Sequence, residues 1–344
     1  MSAILVLLYL ITIILCFLRP KSKIVVVLAF IVTWVLIAGN YDNADYDHYL
    51  IRYDRGLDVF VDFGFSSLCN FFNRLGYDYQ TFKGFISFIC LLFVFRTISK
   101  FCKDVSFGIA LFLIFPFIVD ITQFRNFVAY SIVFLGMPSL FEEGKRGVVK
   151  FLIFVVLAST IHSSSVFYAF FALSKFRIKW WQIGFTAVII YFSKEVIKLY
   201  FAQMLETDKL EFFEKTSILG ALFGAIVVLI TISIIWFVNS RQKGNYYAGN
   251  KLPYKFCSKK TWVYCNMTLI ILIPFLFDNA NYSRVHRNIA VLNMIFIYNA
   301  YYINKNIKIL LMCGYYAYFV FSSYLAGNYI KEVLYPVFTY NSIL

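Results

Sequence analysis

The sequence predicts an all-α, polytopic integral membrane protein, and three observations carry that reading. Of its 344 residues, 61% are hydrophobic and 15% charged, with a mean hydropathy of +0.74; ordinary soluble domains carry about 25% charged residues. The apolar residues fall into runs of bilayer-crossing length. The basic residues gather in the short connectors between those runs, a distribution that sets membrane topology. The net charge of +14 therefore does not imply nucleic acid, because no basic stretch interleaved with aromatics forms a soluble face.

A crossing helix needs about 20 mostly apolar residues, with about 17 as the lower bound. Spans are expected at about 2–18, 24–39, 81–99, 105–119, 125–141, 148–161, 163–174, 180–192, 218–238, 261–277, 288–303 and 307–326, about 12 in all. The first run lacks a charged leader and a small-residue cleavage site, so it reads as a retained span. Between the second and third lies an acidic loop, 40–63, followed by an apolar stretch, 63–75, too short to cross and expected to be interfacial or re-entrant. The runs on either side of His162 are short, which points to tilt or a broken helix. The polar stretch 193–217 has the apolar spacing of an interfacial helix at Ile197, Tyr200, Phe201, Met204 and Leu205.

Charge orients the spans. The connectors 19–23, 96–104, 142–150, 175–179, 239–260 and 304–308 together carry +17, which leaves −3 for the rest of a chain whose total is +14. The basic set, including the acid-free loop 239–260, is expected in the cytoplasm. The loops at about 40–80 and 193–217, and both termini, are then expected outside. No repeat and no Pro-, Gly- or Ser-rich linker divides the chain, so residues 1–344 read as one transmembrane domain. Seven cysteines show no C-x-x-C spacing and read as packing residues. No Walker A loop, G-x-G-x-x-G or H-E-x-x-H occurs, and no cofactor is implied.

Three polar stretches are stranded between apolar runs: Gln123-Phe124-Arg125-Asn126, Ile161-His162-Ser163-Ser164-Ser165 and Asn281 to Asn288. A charge beside lipid costs roughly 2.5–3.5 kcal/mol even on lenient insertion scales, so such residues usually have a task. The charge count places all three on the outer face, where residues 160 positions apart can meet. Arg125 is expected to open a helix, so that its guanidinium and the first free amides together form a phosphate pocket, with Gln123 and Asn126 as added donors. The bland alternative is a snorkelling arginine paired with Asp120. Arg284 and Arg287, three apart, share a helix face suited to clamping a pyrophosphate, with His286 turned elsewhere; alternatively they pair with Asp278 or the acidic loop.

His162, beside three serines, suits a general base for a sugar hydroxyl, or simply bonds a neighbouring helix. The first loop offers Asp42, Asp45 and Asp47 interleaved with Tyr46 and Tyr49. Tyrosine faces and acidic acceptors suit sugars, and Asp45 or Asp47 is a second candidate base. The loop lacks the glycine turn and distal glutamate of a calcium site, so no metal is expected.

The chain resembles the EpsG and Wzy-type family of bacterial exopolysaccharide, capsule and O-antigen polymerases. The resemblance rests on Asp45-Tyr46-Asp47-His48-Tyr49 with Tyr53, Asp62-Phe63-Gly64-Phe65 leading to Leu75-Gly76, Gln123-Phe124-Arg125-Asn126-Phe127-Val128-Ala129, Ile161-His162-Ser163-Ser164 and Tyr282-Ser283-Arg284. It has Arg-Asn where the family pattern commonly has Arg-Gln, and it carries the additional His286 and Arg287. The resemblance implies a lipid-dependent, multi-span glycosyltransferase of GT-C-like type in the bacterial cytoplasmic membrane. Such a protein joins undecaprenyl-pyrophosphate-linked repeat units on the outer face, without metal, sometimes beside a chain-length regulator.

On that reading Arg125, Arg284, Arg287 and Gln123 bind pyrophosphate, Tyr46, Tyr49 and Asp42 bind sugar, and His162, Asp45 or Asp47 takes the proton. A lipid-linked oligosaccharide flippase would bury charge at mid-membrane and show two related halves. A membrane O-acyltransferase would rest on His162.

Overall fold

The computed structural model describes residues 2–55, 62–142, 144–176, 178–204, 217–241, 259–300, 303–320 and 330–343. Among them the chain is helical, and the single strand-like feature is an isolated antiparallel bridge between Asn40 and Asn341. Four helices are long and apolar enough to cross a membrane: Tyr79–Phe101, Val105–Thr122, Phe124–Phe141 and Ile218–Ser240. The shorter apolar helices Ala3–Leu18, Lys23–Gly39 and Lys260–Leu276 accompany them. Among the described residues, no helix at the other expected positions meets that length and composition.

Two compact units form, one from Met1–Val166 and Ala290–Leu344, the other from Phe167–Ala248 and Phe256–Ile289. In the first, α1 (Ala3–Leu18) and α2 (Lys23–Gly39) are each started by a serine whose hydroxyl accepts an amide of the first turn, Ser2 from Leu5 and Ser22 from Val25. Two helices, α3 (Tyr46–Arg55) and α4 (Phe63–Arg74), then precede α5 (Tyr79–Phe101), whose N-cap Asp78 accepts from Thr81 at 2.7 Å. That bond to the ionised form lowers the Asp78 pKa from its ordinary value. Next come α6 (Val105–Phe112) and α7 (Ile118–Thr122), joined by a π-turn over Leu113–Phe117. Pro116, which has no N–H and crowds the preceding turn, lies inside that widened turn. The segment continues as α8 (Phe124–Gly136), a 3-10 turn over Met137–Phe141 and α9 (Lys145–Ile161). Helix α5 packs between α2 and α8, and α8 between α5 and α9.

Two charged or polar ends close this unit. At one, Pro20 and Ser22 carbonyls accept from Ser106, and Lys21 Nζ stands 3.9 Å from Asp104. The Tyr298 hydroxyl donates to Asp104, Tyr298 stacks on Phe107 with centroids 4.0 Å apart, and Lys308 donates to the Tyr298 carbonyl at 3.1 Å. These residues belong to the basic connectors 19–23, 96–104 and 304–308 or flank them, so three of the six basic connectors meet at one end.

At the other end the C-terminal carbonyls of α2 are covered from α5. Gln80 donates to the Ala38 and Asn40 carbonyls, and the fully buried Lys83 donates to Asn40 at 2.6 Å. The Lys83 side-chain nitrogen thereby gives a hydrogen-bond partner to a carbonyl left open at the end of α2. The segment ending in α17 (Tyr335–Thr339) docks beside it: Ser2 N–H bonds the Phe338 carbonyl, Tyr41 N–H that of Tyr340, and Ser342 N–H that of Gly39. The first and last described turns thus meet the start of the acidic loop.

Two expectations are corrected. The acidic stretch 40–63 is not loop throughout but contains α3, whose amphipathic pattern buries Tyr49, Arg52 and Tyr53. At His162 the helix is broken, one of the two outcomes expected from the short runs on either side: α9 ends there and Ser163–Lys175 follows as a 3-10 helix. The helix α10 (Trp180–Met204) continues past residue 192, where the span was expected to end, and the remainder of 193–217 lies largely outside the described residues. In the second unit α11 (Ile218–Ser240) packs on α12 (Lys259–Met267) and α13 (Ile273–Leu276), which lead through a 3-10 turn to α14 (Ser283–Asn288). The chain then re-enters the first unit through α15 (Ala290–Asn299) and α16 (Lys305–Val320).

Candidate functional site

The site in the first unit is assembled by one carboxylate. Asp62 Oδ2 stands 2.9 Å from Arg125 Nη1, and its Oδ1 accepts the Ser163 N–H at 2.6 Å. A single buried side chain thereby joins the first loop, the start of α8 and the junction after α9. Asp62 lies in the left-handed region at φ 62, a conformation that aspartate tolerates better than most residues. Two residues on, Gly64 lets α4 close against the end of α9. A Cβ there would collide with the Thr160 side chain and come within 3.0 Å of its carbonyl carbon. The Asp62-Phe63-Gly64-Phe65 segment thus has a physical reason at three of its four positions, since Phe65 is fully buried against Tyr49 and Phe82 at 6.0 Å each.

Arg125 sits in the first turn of α8, where the sequence placed it, with Gln123 as the half-buried N-cap. Its partner is Asp62 and not Asp120. The latter is buried and accepts the Tyr130 hydroxyl, so it serves the interior of its own segment. Arg125 Nε is buried without a hydrogen-bond partner among the described residues. A second guanidinium, missed by the sequence reading, stands nearby: Arg52 is buried, donates to Ser66 Oγ at 2.8 Å and lies 5.7 Å from the Phe65 ring centroid. Burial, then the Arg125 cation, lowers the Arg52 pKa from its ordinary value while Asp62 opposes the shift. His48 feels the same surroundings; burial, then Arg125, lowers its pKa, so neutral imidazole is favoured at neutral pH.

The cluster therefore holds two arginines against one carboxylate within a few ångströms of helix starts, an environment suited to an anion. His162 caps α9 with its own N–H on the Ala158 carbonyl at 2.9 Å and is largely buried, next in sequence to the Ser163 amide held by Asp62. Among the first-loop candidates, Asp47 is exposed in the first turn of α3 and Asp42 is exposed at φ 56. Asp45 takes its amide to the Asn43 side chain at 3.2 Å. Tyr46 donates to Gln80 at 3.1 Å and meets Tyr79 edge-on at 5.3 Å, and Tyr49 is buried beside Phe65. Among the described residues no three His, Cys, Asp or Glu side chains converge as a metal site.

In the second unit α14 presents Arg284 and Arg287 half-buried, with Arg284 donating to Asn281 at 2.7 Å. His286 turns inward, as the spacing implied, and shares a 2.8 Å hydrogen bond with Thr231. Burial pushes its pKa down to about 4. Asn288 donates to the Tyr168 hydroxyl at 2.9 Å, and Phe167, Phe275 and Tyr282 pack ring on ring beside the helix. These contacts fix α14 so that its two arginines are placed from the same side.

No curated relative and no solved structure matches the chain. The EpsG family matches it over residues 23–342, nearly its whole length. The chain belongs to the EpsG family.

Proposed function

We propose that this protein is a polysaccharide polymerase of the membrane, transferring a growing glycan from an undecaprenyl-pyrophosphate carrier to a sugar hydroxyl of the next lipid-linked unit on the outer face. Membership of the EpsG family suggests an exopolysaccharide polymerase-like role. The observation that carries the finer reading is the Asp62 bridge to Arg125 and to the Ser163 amide, beside Arg52.

In the proposed reaction the acceptor hydroxyl attacks the anomeric carbon and loses its proton to His162, with Asp45 or Asp47 as the other candidate base. The anomeric carbon–oxygen bond breaks and the electron pair leaves with the pyrophosphate. The leaving group is already a good one, so the protein's work is to hold its developing charge and to orient the acceptor. Arg125 is the phosphate donor, and Asp62 is a positioning residue that fixes its fork. Arg52 keeps the cluster's net charge positive once Asp62 is counted. Arg284, Arg287 and Gln123 are assigned phosphate contacts as well, and Tyr46, Tyr49 and Asp42 are assigned to the sugar.

The test uses purified protein and a lipid-linked repeat unit, with chain length read by gel. Wild type is expected to give longer glycan on lipid, whereas Arg125→Ala and Arg284→Ala leave single units. Relocation of the unit without extension would instead support a flippase, and normal chain lengths in both variants would remove the arginines from the reaction.

A further inference from the structure

We infer that the second unit carries a separate binding groove for an anionic glycerophospholipid of the cytoplasmic leaflet, formed by the start of α10, the end of α11 and the start of α12. The groove has a volume of about 530 Å³, within the roughly 300–1,000 Å³ range of small-molecule sites. One wall is apolar, made by Trp180, Trp181, Trp236 and Met267; its polar side holds Lys179, Lys260 and Asn239. No acidic residue lines it.

Large aromatics are normally hidden, yet Trp180, Trp181 and Trp236 are 71%, 51% and 60% exposed. Tryptophan is at home where one side of the ring meets lipid and the other meets water. Three of the chain's five tryptophans converge here with two ammonium groups in a concave surface. That combination goes beyond a belt of scattered interfacial rings. The Lys179 N–H is taken by the Gln182 side chain at 2.7 Å, and the anion contacts are assigned to the lysine side chains. Sequence supports the choice of occupant: the connector 239–260 carries six basic residues and no acid, a charge that draws anionic lipid toward this end. The acyl chains lie against the tryptophan wall and the phosphate meets Lys179 and Lys260. The inference does not depend on the polymerase reading.

The full-length protein, reconstituted in phosphatidylcholine vesicles, is exposed to a minor fraction of phosphatidylglycerol brominated on its acyl chains, and tryptophan quenching is read. The control holds the same fraction of brominated phosphatidylcholine. Quenching by the brominated phosphatidylglycerol is expected to exceed the control, with each lysine contributing roughly a five-fold preference. In the Lys179→Gln/Lys260→Gln variant the excess should vanish while quenching by brominated phosphatidylcholine stays as in wild type, which shows that the groove is still folded. Equal quenching by the two lipids, or an excess that survives in the double variant, overturns the site. Reversal of the excess by soluble glycerophosphoglycerol would overturn the lipid as its occupant.

Discussion

Two of the buried aspartates of the first unit, Asp62 and Asp104, lie at its opposite ends and do different things. Asp62 and Asp104 are 6% and 7% exposed, so burial does not distinguish them. Their partners do. Asp62 grips a guanidinium at 2.9 Å and a backbone amide at 2.6 Å, in a left-handed conformation. Asp104 accepts the Tyr298 hydroxyl, and its nearest cation, Lys21, is at 3.9 Å with a side chain 83% exposed. The first fixes a planar fork from which donors remain for an anion; the second closes a helix junction with a neutral partner and a loosely held charge. A carboxylate beside a membrane is thus read by what it orients, and the end that orients arginine is the end assigned to chemistry.

The comparison is broken most severely by removing each carboxylate in turn. Asp62→Ala is expected to abolish chain extension, because misplacement of a positioning group by about 1 Å costs on the order of 10²-fold in rate. Asp104→Ala should keep polymer length near wild type and lower the melting temperature instead, since its loss leaves the half-buried Tyr298 hydroxyl without this acceptor. Polymer assay and thermal unfolding of both variants decide the matter. A smaller effect is expected from Gly64→Ala, which pushes α4 off Thr160 and carries Asp62 with it. An activity loss of about ten-fold with the fold retained would follow, and Gly76→Ala, where a Cβ meets open space but φ is +80, serves as a stability-only control.

The second unit supplies a pH contrast. Neutral His286 is required by its burial, with a folded pKa of about 4 against about 6.5 when unfolded. The unfolded chain therefore takes up the proton first, and stability present above pH 6.5 falls as pH drops toward 4, by at most about 3 kcal/mol. His286→Gln, able to keep a hydrogen bond to Thr231, should flatten that dependence in a melting series between pH 7 and 4.5 (about two units). The smallest effect belongs to Lys21→Ala: a loose 3.9 Å contact made by an exposed lysine is worth about 0–1 kcal/mol, so stability and activity should both be close to wild type.

Much of this was legible in the sequence because it follows from hydropathy and helix spacing. The α8 start at Arg125 and the inward turn of His286 relative to Arg284 and Arg287 both come from local pattern. The grouping of basic connectors at one end of the first unit comes from charge asymmetry alone. Asp62 did not stand out, because it reads as one of six acids in a polar loop and its amide partner lies 101 residues away. Helix α3 was hidden by its polarity, and Arg52 with it. Lys83 interrupts an apparent span with a basic residue, and only the folded chain reveals that its side-chain nitrogen covers the end of α2. Long-range pairing of this kind leaves no periodic trace, whereas the apolar faces that position it do.

The most direct test of the central claim is a comparison of Asp62→Asn with wild type in the purified polymerisation assay, with kcat and KM for the lipid-linked unit followed beside the melting temperature. Asparagine can still accept the Ser163 amide but no longer holds Arg125 by charge. The account predicts a kcat lowered about 10²-fold, little change in melting temperature, and single units left on lipid. Normal chain lengths and an unchanged kcat would contradict it.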